Sequence, residues 1–310
     1  MSRSENTVLT SAEGYDPASR MIFSEPISGS IPNSTPLMEF KRINISTRNE
    51  DGTAGELILP TGRLFSFGVS ENKSQETGKV NGWTFPLCLW NRDGPSKEEK
   101  VLTDTFNAIV DCCIEHLLDN REEIDMFELT RNDLTKSKGG LNPLYWKKEK
   151  YVNAKGKTGM RVVPGTGPTL YSKLIYSKKN GKFLTQFFNL ENEQVNALDL
   201  LGKYCFANAA VKIESIFIGA KISLQVKLYE AVVEPTMSGM KRLLARPAAS
   251  SKVLRFKSTE ATSNILNDDS DDDSDDDSDI GSLVDEEDVG EPAPVKTKTK
   301  RKLRKVVRKS

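Results

Sequence analysis

Positive charge and aromatic rings are interleaved between Arg131 and Lys182, and together these residue types could bind an unpaired nucleic-acid strand. The stretch contains 13 lysine or arginine residues against two acidic residues, Asp133 and Glu149. Cationic side chains neutralise phosphates, and exposed rings stack on unpaired bases with about 1–3 kcal/mol per base. The residues predicted to contact phosphates are Lys147, Lys148, Lys150, Lys155, Lys157, Arg161, Lys173, Lys179 and Lys182, and those predicted to stack on bases are Tyr145, Trp146, Tyr151 and Tyr171.

The alternative is that some of these rings belong to the hydrophobic core. This alternative is strong for Tyr176, which strand alternation places on the same face as Leu170 and Leu174. It is weaker for the segment from Tyr145 to Tyr151, because adjacent rings on an extended chain cannot both point inward. We therefore expect the nucleic-acid contacts to be concentrated in that segment.

No pattern of catalytic or metal-binding residues accompanies the basic stretch. His116 is the only histidine and falls on a predicted helix. The four cysteines lack the paired spacing of a zinc site or a disulfide framework. The glycines of residues 156–167 lack the spacing of a phosphate-binding loop. We predict that the protein is not an enzyme and uses no cofactor or metal.

The elements that must position the basic stretch are mostly short strands. One helix is clear, because Ser96 and Glu99 form a capping box and apolar residues follow at helical spacing. A second short helix is predicted over 121–129. Apolar runs between Gly, Pro and Asn residues predict strands at 57–59, 64–69 and 83–90. The predicted fold class is mainly β with inserted helices (α+β).

Two hairpins are predicted after the helix. Strands over 169–177 and 183–188 flank Asn180-Gly181, the pair that a two-residue type I′ turn favours. That turn would pair Tyr176 with Thr185 and Leu174 with Phe187, and would group Tyr171, Lys173, Lys179 and Lys182 on one face. The second hairpin joins 211–218 to 222–230 through Gly219-Ala220, which suits a type II′ turn.

Composition divides the chain into five segments, although its formal net charge is zero. Residues 268–291 contain 14 acidic residues and no basic one, whereas residues 292–310 contain nine basic residues and no acidic one. Segments of this kind bury too little apolar surface to offset chain entropy. The predicted segments are a flexible N-terminal arm at 1–37, a folded domain at 38–234, a linker at 235–267, an acidic disordered tail at 268–291 and a basic disordered tip at 292–310.

The acidic tail has two interpretations. It could act only as a solubilising segment, or it could compete with nucleic acid for the basic surface at high effective concentration and recruit partner proteins when displaced. The basic tip fits either a nuclear-localisation segment or a second phosphate-binding arm. No apolar run approaches the ~18–20 residues needed to cross a bilayer, so no membrane partner is expected.

Several motifs resemble the single-stranded-DNA-binding proteins of nucleocytoplasmic large DNA viruses, over roughly residues 38–234. The motifs are Asn142-Pro143-Leu144-Tyr145-Trp146, the stretch 167–174, the stretch 213–219 and the stretch 221–226. Those proteins are similar in plan to phage replication proteins built on an OB-fold with an acidic C-terminal tail. The resemblance implies an OB-fold-like, five-stranded antiparallel barrel and a general base-stacking role for Tyr145, Trp146 and Tyr171.

The resemblance also implies a function and a location. The expected role is coating unwound DNA during viral replication, recombination and repair, with replication proteins recruited through the acidic tail. The expected place is intracellular, at the site of viral DNA replication in the host nucleus or a cytoplasmic viral factory, or else in the virion. Self-association into a homo-oligomer stays open.

Two other function classes remain at this point. An acidic-tailed interaction protein could act as a chaperone for histones or other basic proteins, or as a virion packing component. A transcription or processivity factor with incidental DNA affinity is a weaker alternative. The first class differs from a DNA-binding protein in one respect: deleting residues 268–310 would abolish its main binding activity.

Overall fold

The computed structural model describes residues 6–30, 38–74, 77–136, 140–152 and 158–236. The linker beyond residue 236, the acidic tail and the basic tip therefore lie outside the described residues, as do Lys155 and Lys157. In the part that is described, no helix is long and apolar enough to cross a membrane.

The described chain is mainly β. Its helices are α1 (Pro17–Arg20), α2 (Lys97–Asp119) and α3 (Arg131–Thr135), with a 3-10 helix at Ala197–Leu200. Its strands are β1 (Met21–Phe23), β2 (Ile27–Ser30), β3 (Glu39–Arg48), β4 (Ala54–Gly55), β5 (Leu57–Ser66), β6 (Ser70–Lys73), β7 (Val80–Cys88), β8 (Leu144–Tyr145), β9 (Lys148–Val152), β10 (Thr158–Val162), β11 (Thr169–Leu174), β12 (Tyr176–Ser177), β13 (Lys182–Phe183), β14 (Gln186–Phe188), β15 (Gln194–Val195), β16 (Cys205–Ile218) and β17 (Ile222–Pro235). The predicted class, mainly β with few helices, is confirmed.

Five strands carry the central pairings of the sheet. The hydrogen-bonded path leads from β16 to β5, then to β7, β11 and β17, and β17 pairs again with β16. Four of these pairings are antiparallel, but β11 and β17 run parallel. The prediction of a purely antiparallel arrangement is therefore wrong for this pair.

The inward faces of these strands meet α2 in one hydrophobic core. The helix begins at the predicted capping box, in which the Ser96 hydroxyl accepts from the Glu99 amide and the Glu99 carboxylate accepts from the Ser96 amide. Leu102 and Phe106 of α2 then line a small interior gap shared with Leu59, Leu89, Leu170 and Val211. The predicted helix and its apolar face are thus confirmed. Residues 121–129, predicted as a second helix, form turns instead, and α3 follows them.

The N-terminal residues are more firmly attached than the sequence indicated. Strands β1 and β2 both pair with β3. The amide of Thr10 donates to the carbonyl of Ile58 at 2.7 Å, and the buried Tyr15 hydroxyl lies 3.0 Å from Thr47 Oγ1. The prediction of a flexible arm over residues 1–37 is therefore wrong for residues 6–30, because a few apolar and hydroxyl side chains are enough to hold the segment.

The Asn-Gly hairpin exists, but its register differs from the prediction. Tyr176 pairs with Phe183 and Ser177 with Lys182, so four residues separate the strands instead of two. Leu174 pairs with Leu228 of β17 instead of Phe187. The long predicted strand breaks after β11, because β11 pairs with β7 and β17 while β12 forms a separate two-stranded sheet with β13.

The second predicted hairpin, formed by β16 and β17, is confirmed and is longer than predicted. Ile218 pairs with Ile222, which leaves a three-residue connection in place of the two-residue turn. The pairing shifts register between Ala210 and Val211, where Tyr229 is the extra residue on β17. Such a bulge re-aims a side chain, and the Tyr229 ring is exposed.

Candidate nucleic-acid interface

Strand β11 presents two of the predicted contact residues on the outer face of the sheet. Leu170, Ser172 and Leu174 are buried, whereas Tyr171 is exposed and Lys173 is half-buried. This alternation follows from the two-residue period of a strand. Lys173 Nζ donates to Gln225 Oε1 at 3.0 Å, and this hydrogen bond positions the ammonium group on the outer face.

A second ring joins Tyr171 from a distant part of the sequence. The short strand β8 pairs with the beginning of β11, where Tyr145 lies opposite Thr169. The Tyr145 and Tyr171 rings meet edge to face with 6.1 Å between centroids. They are 50% and 39% exposed, respectively. Two open rings in fixed mutual geometry can take up unpaired bases, as a stacking surface requires.

Trp146 occupies a different environment from its neighbour Tyr145. It is half-buried, and its ring meets Trp90 edge to face at 5.3 Å. Trp90 is itself held to α2, because its Nε1 donates to Thr103 Oγ1 at 3.0 Å. The structure therefore places Trp146 at the base of the following hairpin, anchored to the helix, and it does not join the open ring pair.

Two basic hairpins extend from opposite ends of β11. The first, formed by β9 and β10, follows β8 beyond the Thr169 end and carries the exposed Lys148 and Lys150 on one face, with the exposed Lys147 at its base. On the other face the Arg161 guanidinium lies 5.6 Å from the Tyr151 ring centroid and 2.7 Å from Glu149 Oε1. The charge of Arg161 is therefore partly neutralised before any ligand arrives.

The second basic hairpin, formed by β12 and β13, lies beyond the Leu174 end of β11. Its exposed tip carries Lys179 and Lys182. The Tyr176 and Phe183 rings pack against Trp83 of β7 at 4.7 and 4.9 Å. Tyr176 is therefore a packing residue, as the core alternative predicted, and these ring contacts attach the hairpin to the sheet.

A cluster of ion pairs supports the outer face beside Lys173. Lys227, the β17 neighbour of Lys173, lies 2.8 Å from Glu214 Oε2. Lys212 lies 2.8 Å from Glu56 Oε1 and 3.4 Å from Glu214 Oε1. Burial acts to raise the pKa of Glu214, but the charges of Lys227, Lys212 and Arg42 outweigh it and hold that pKa below its usual value.

Between the ring pair and β5 the outer face carries small, uncharged side chains. Cys88 of β7 lies opposite Thr169, with its Sγ 3.9 Å from Thr169 Oγ1. Burial raises the pKa of the Cys88 thiol, which therefore stays neutral near pH 7 and does not repel phosphate. Within the described residues, no group of three or more His, Cys, Asp or Glu side chains is placed to hold a metal ion.

The structure thus brings together some of the predicted residues and separates others. Tyr145, Tyr171 and Lys173 share one face, and Lys147, Lys148, Lys150, Lys179 and Lys182 are exposed around it. Tyr151 and Arg161 form a separate pair on the first hairpin. The Tyr145–Tyr171 contact had no signal in the sequence, because a two-residue strand is too short to show alternation.

Comparisons with known proteins give a family and a viral context. Residues 14–278 match a family described as a protein of unknown function (DUF2738). The chain is 29% identical to the Early 31 kDa protein of Frog virus 3 (isolate Goorha) over 190 residues, which is 61% of this chain and 67% of that protein. It is 24% identical over 181 residues to the Uncharacterized protein 007R of Invertebrate iridescent virus 3, covering 57% of this chain and 36% of that protein. Similarity to proteins of two viruses supports a viral origin.

Proposed function

We propose that this chain, which belongs to the DUF2738 family, is a non-catalytic protein that binds single-stranded DNA without strong sequence preference. Tyr145 and Tyr171 stack on unpaired bases, and Lys173 contacts phosphate beside them. The exposed lysines of the two basic hairpins contact phosphates on either side of the ring pair. The observation that carries the proposal is the open, edge-to-face ring pair between two basic hairpins.

The strand arrangement supports this assignment. Numbered along the chain, the five central strands β5, β7, β11, β16 and β17 pair in the order 1-2-3-5-4, and the last pairs back to the first. We propose that they form an OB-like barrel, with α2 inserted between its second and third strands. In OB-folds the face of strands 2 and 3 binds oligonucleotides, and Tyr171 and Lys173 lie on strand 3 of this numbering.

The biological role we propose is coating of unwound DNA during viral replication, recombination and repair. This role is supported by the viral origin of the relatives. It is also supported by the stacking surface, because every base offers a ring face and DNA of any sequence can therefore be bound. The same role places the protein where viral DNA is replicated, in the host nucleus or a cytoplasmic viral factory.

Binding is expected to weaken steeply with salt, because phosphate neutralisation releases counterions. If about five phosphates are contacted, a slope of about −0.7 per phosphate gives roughly a hundredfold loss of affinity between about 50 and 200 mM salt. Fluorescence anisotropy with a labelled oligothymidine over this range measures the slope. An isotherm that does not move with salt would contradict the proposal.

The hairpin lysines provide an internal check on that slope. Replacing Lys179 and Lys182 by glutamine should reduce its magnitude by about 1.4, if both lysines contact phosphate. Replacing Lys100, which is exposed on α2, by glutamine serves as the control and should leave the slope unchanged.

The acidic segment 268–291 is expected to compete with DNA for the basic surface. Its deletion should therefore tighten binding to an oligonucleotide, because a tethered competitor at high effective concentration is removed. An electrophoretic titration of the whole chain and of the deletion variant measures the change.

A parallel titration with purified histones separates the rival function. For an acidic-tailed chaperone of basic proteins, deleting residues 268–310 would abolish the main binding activity, here measured as binding of purified histones. Histone binding by the whole chain without DNA binding, lost on this deletion, would favour the rival.

A further inference from the structure

A second group of aromatic rings lies on the outer face of β5 and β16, outside the basic stretch. Phe65 of β5 meets the Phe67, Tyr204 and Phe206 rings edge to face, with centroids 5.3–5.8 Å apart. Phe67 also meets Tyr204 at 5.8 Å. Phe67 is 41% exposed and Tyr204 is 58% exposed, whereas Phe65 and Phe206 are half-buried. The half-buried Phe65 and Phe206 rings thus support the exposed Phe67 and Tyr204 rings.

The backbone around this ring cluster is firmly fixed. The Val69 amide donates to the Leu200 carbonyl at 2.9 Å, and the Gly202 amide donates to the Val69 carbonyl at 3.0 Å. Gly68 adopts a φ of +83°, and a Cβ there would lie 2.4 Å from the Lys203 carbonyl oxygen. The two turns that carry Phe67 and Tyr204 are therefore in direct backbone contact. Rings held in this way lose little side-chain entropy when a ligand binds.

Positive charge accompanies the ring cluster. The Arg63 guanidinium lies 3.6 Å from the Phe206 ring centroid, and its charge is partly neutralised by Glu234 at 2.9 Å. Lys203, which precedes Tyr204 in the chain, is exposed. A ring surface with an adjacent ammonium group suits a ligand that combines flat bases with phosphates.

The register of the sheet connects this cluster to the Tyr145–Tyr171 pair. Phe206 lies opposite Phe65, Phe65 opposite Cys88, Cys88 opposite Thr169, and Thr169 opposite Tyr145. All five residues are on the outer face in one row across five strands. At about 4.8 Å per strand spacing, the row measures roughly 19 Å along the surface. Only the small side chains of Cys88 and Thr169 separate the two ring groups.

We infer that Phe67 and Tyr204 form a second base-stacking subsite for the same DNA strand that contacts Tyr145 and Tyr171. This inference rests on the proposed function and extends it. The strand follows the row of outer-face residues from β8 to β16, with unstacked nucleotides over Cys88 and Thr169. An oligonucleotide long enough to follow the row occupies both subsites, whereas a very short one occupies only the first.

The test compares oligonucleotide lengths in a double variant, Phe67→Ala with Tyr204→Ala. With an oligothymidine of about 15 nucleotides, near the upper end of the site sizes of single OB-folds, the variant should bind at least about 30-fold more weakly, from about 1 kcal/mol per ring. With a trinucleotide, which is too short to follow the whole row, its affinity should match that of the unmodified chain. Phe127→Ala is the control, because Phe127 is a 68% exposed phenylalanine on the turn after α2.

The outcomes separate this inference from the proposed function. An unchanged affinity of the double variant for the long oligonucleotide, with a Tyr145→Ala and Tyr171→Ala variant weakened, overturns the second subsite alone. An equal loss with both lengths also overturns it, because a separate subsite cannot affect a ligand that does not reach it. If the unmodified chain fails to bind either oligonucleotide, the proposed function itself is wrong. Sedimentation of each variant checks the remaining alternative, since a changed mass would identify the ring cluster as a contact between copies of the chain.

Discussion

Replacing Tyr145 and Tyr171 together by alanine is expected to lower the affinity for single-stranded DNA by at least about 30-fold. This figure takes about 1 kcal/mol per ring, the lower end of the range measured for base–aromatic stacking. Both rings are substantially exposed and their centroids are 6.1 Å apart, so their removal should leave the core intact. Anisotropy titration with a labelled oligothymidine measures the loss, and thermal unfolding monitors the fold.

Phenylalanine at both positions is the matched control. It keeps the ring faces and removes only the hydroxyl groups, so affinity should return to near that of the unmodified chain. If the alanine variant binds as tightly as the unmodified chain, then the ring pair is not a stacking surface. If phenylalanine fails to restore binding, the hydroxyl groups act as polar contacts and stacking is not the source of affinity.

Replacing Glu214 by glutamine is expected to lower the free energy of unfolding at pH 7 by about 3 kcal/mol, the lower end of the range for breaking a buried pair. Glu214 has ion-pair partners in Lys227 and Lys212, and the three side chains are only 12–17% exposed. The substitution leaves Lys227 largely buried without its counter-charge. Chemical denaturation of both proteins at several pH values measures the effect.

The pKa of Glu214 determines how the difference in stability between the two proteins changes with pH. Because the folded-state pKa of Glu214 lies below its usual value, its stabilisation is complete above the ordinary carboxyl pKa of about 4.3 and is lost as the pH falls through the lower folded value. The difference between the two proteins should therefore shrink below about pH 4. Glu234→Gln is the control, since its ion pair with Arg63 is exposed and should contribute little. A constant difference at all pH values would argue against the ion pairs as its source.

The helix and the long hairpin could be predicted because their signals are local. A capping box requires only Ser96 and Glu99 three residues apart, and the apolar spacing that follows is that of α2. The alternation in β17 likewise depends on one strand with a buried and an exposed face. Such features are determined within a short stretch of chain.

The pairings that build the interface could not be predicted in the same way. Tyr145 meets Tyr171 because β8 pairs with the start of β11, and the intervening residues contain a complete hairpin. The predicted register of the Asn-Gly hairpin was wrong because β11 pairs with β7 and β17, and these contacts override the turn preference of Asn180-Gly181. Trp146 was expected to be open because neighbouring rings alternate, but the partner that half-buries it, Trp90, lies far away in the sequence.

The ring cluster on β5 and β16 was missed for a related reason. Phe65 and Phe67 precede the basic stretch, and Tyr204 and Phe206 follow it. Neither pair has an excess of positive charge around it in the sequence, so composition drew attention only to the region between them. The register of five strands is needed to place both ring groups on one face.

The most direct test of the account is an equilibrium titration of the whole chain with a labelled oligonucleotide of about 15 nucleotides and with a duplex of the same sequence, at one salt concentration. The open tyrosine rings can stack only on bases that are unpaired, so the single strand should bind at least about tenfold more tightly than the duplex, a difference of about 1.4 kcal/mol. Equal affinity for the two, or no binding of the single strand, would contradict the proposed binding of single-stranded DNA.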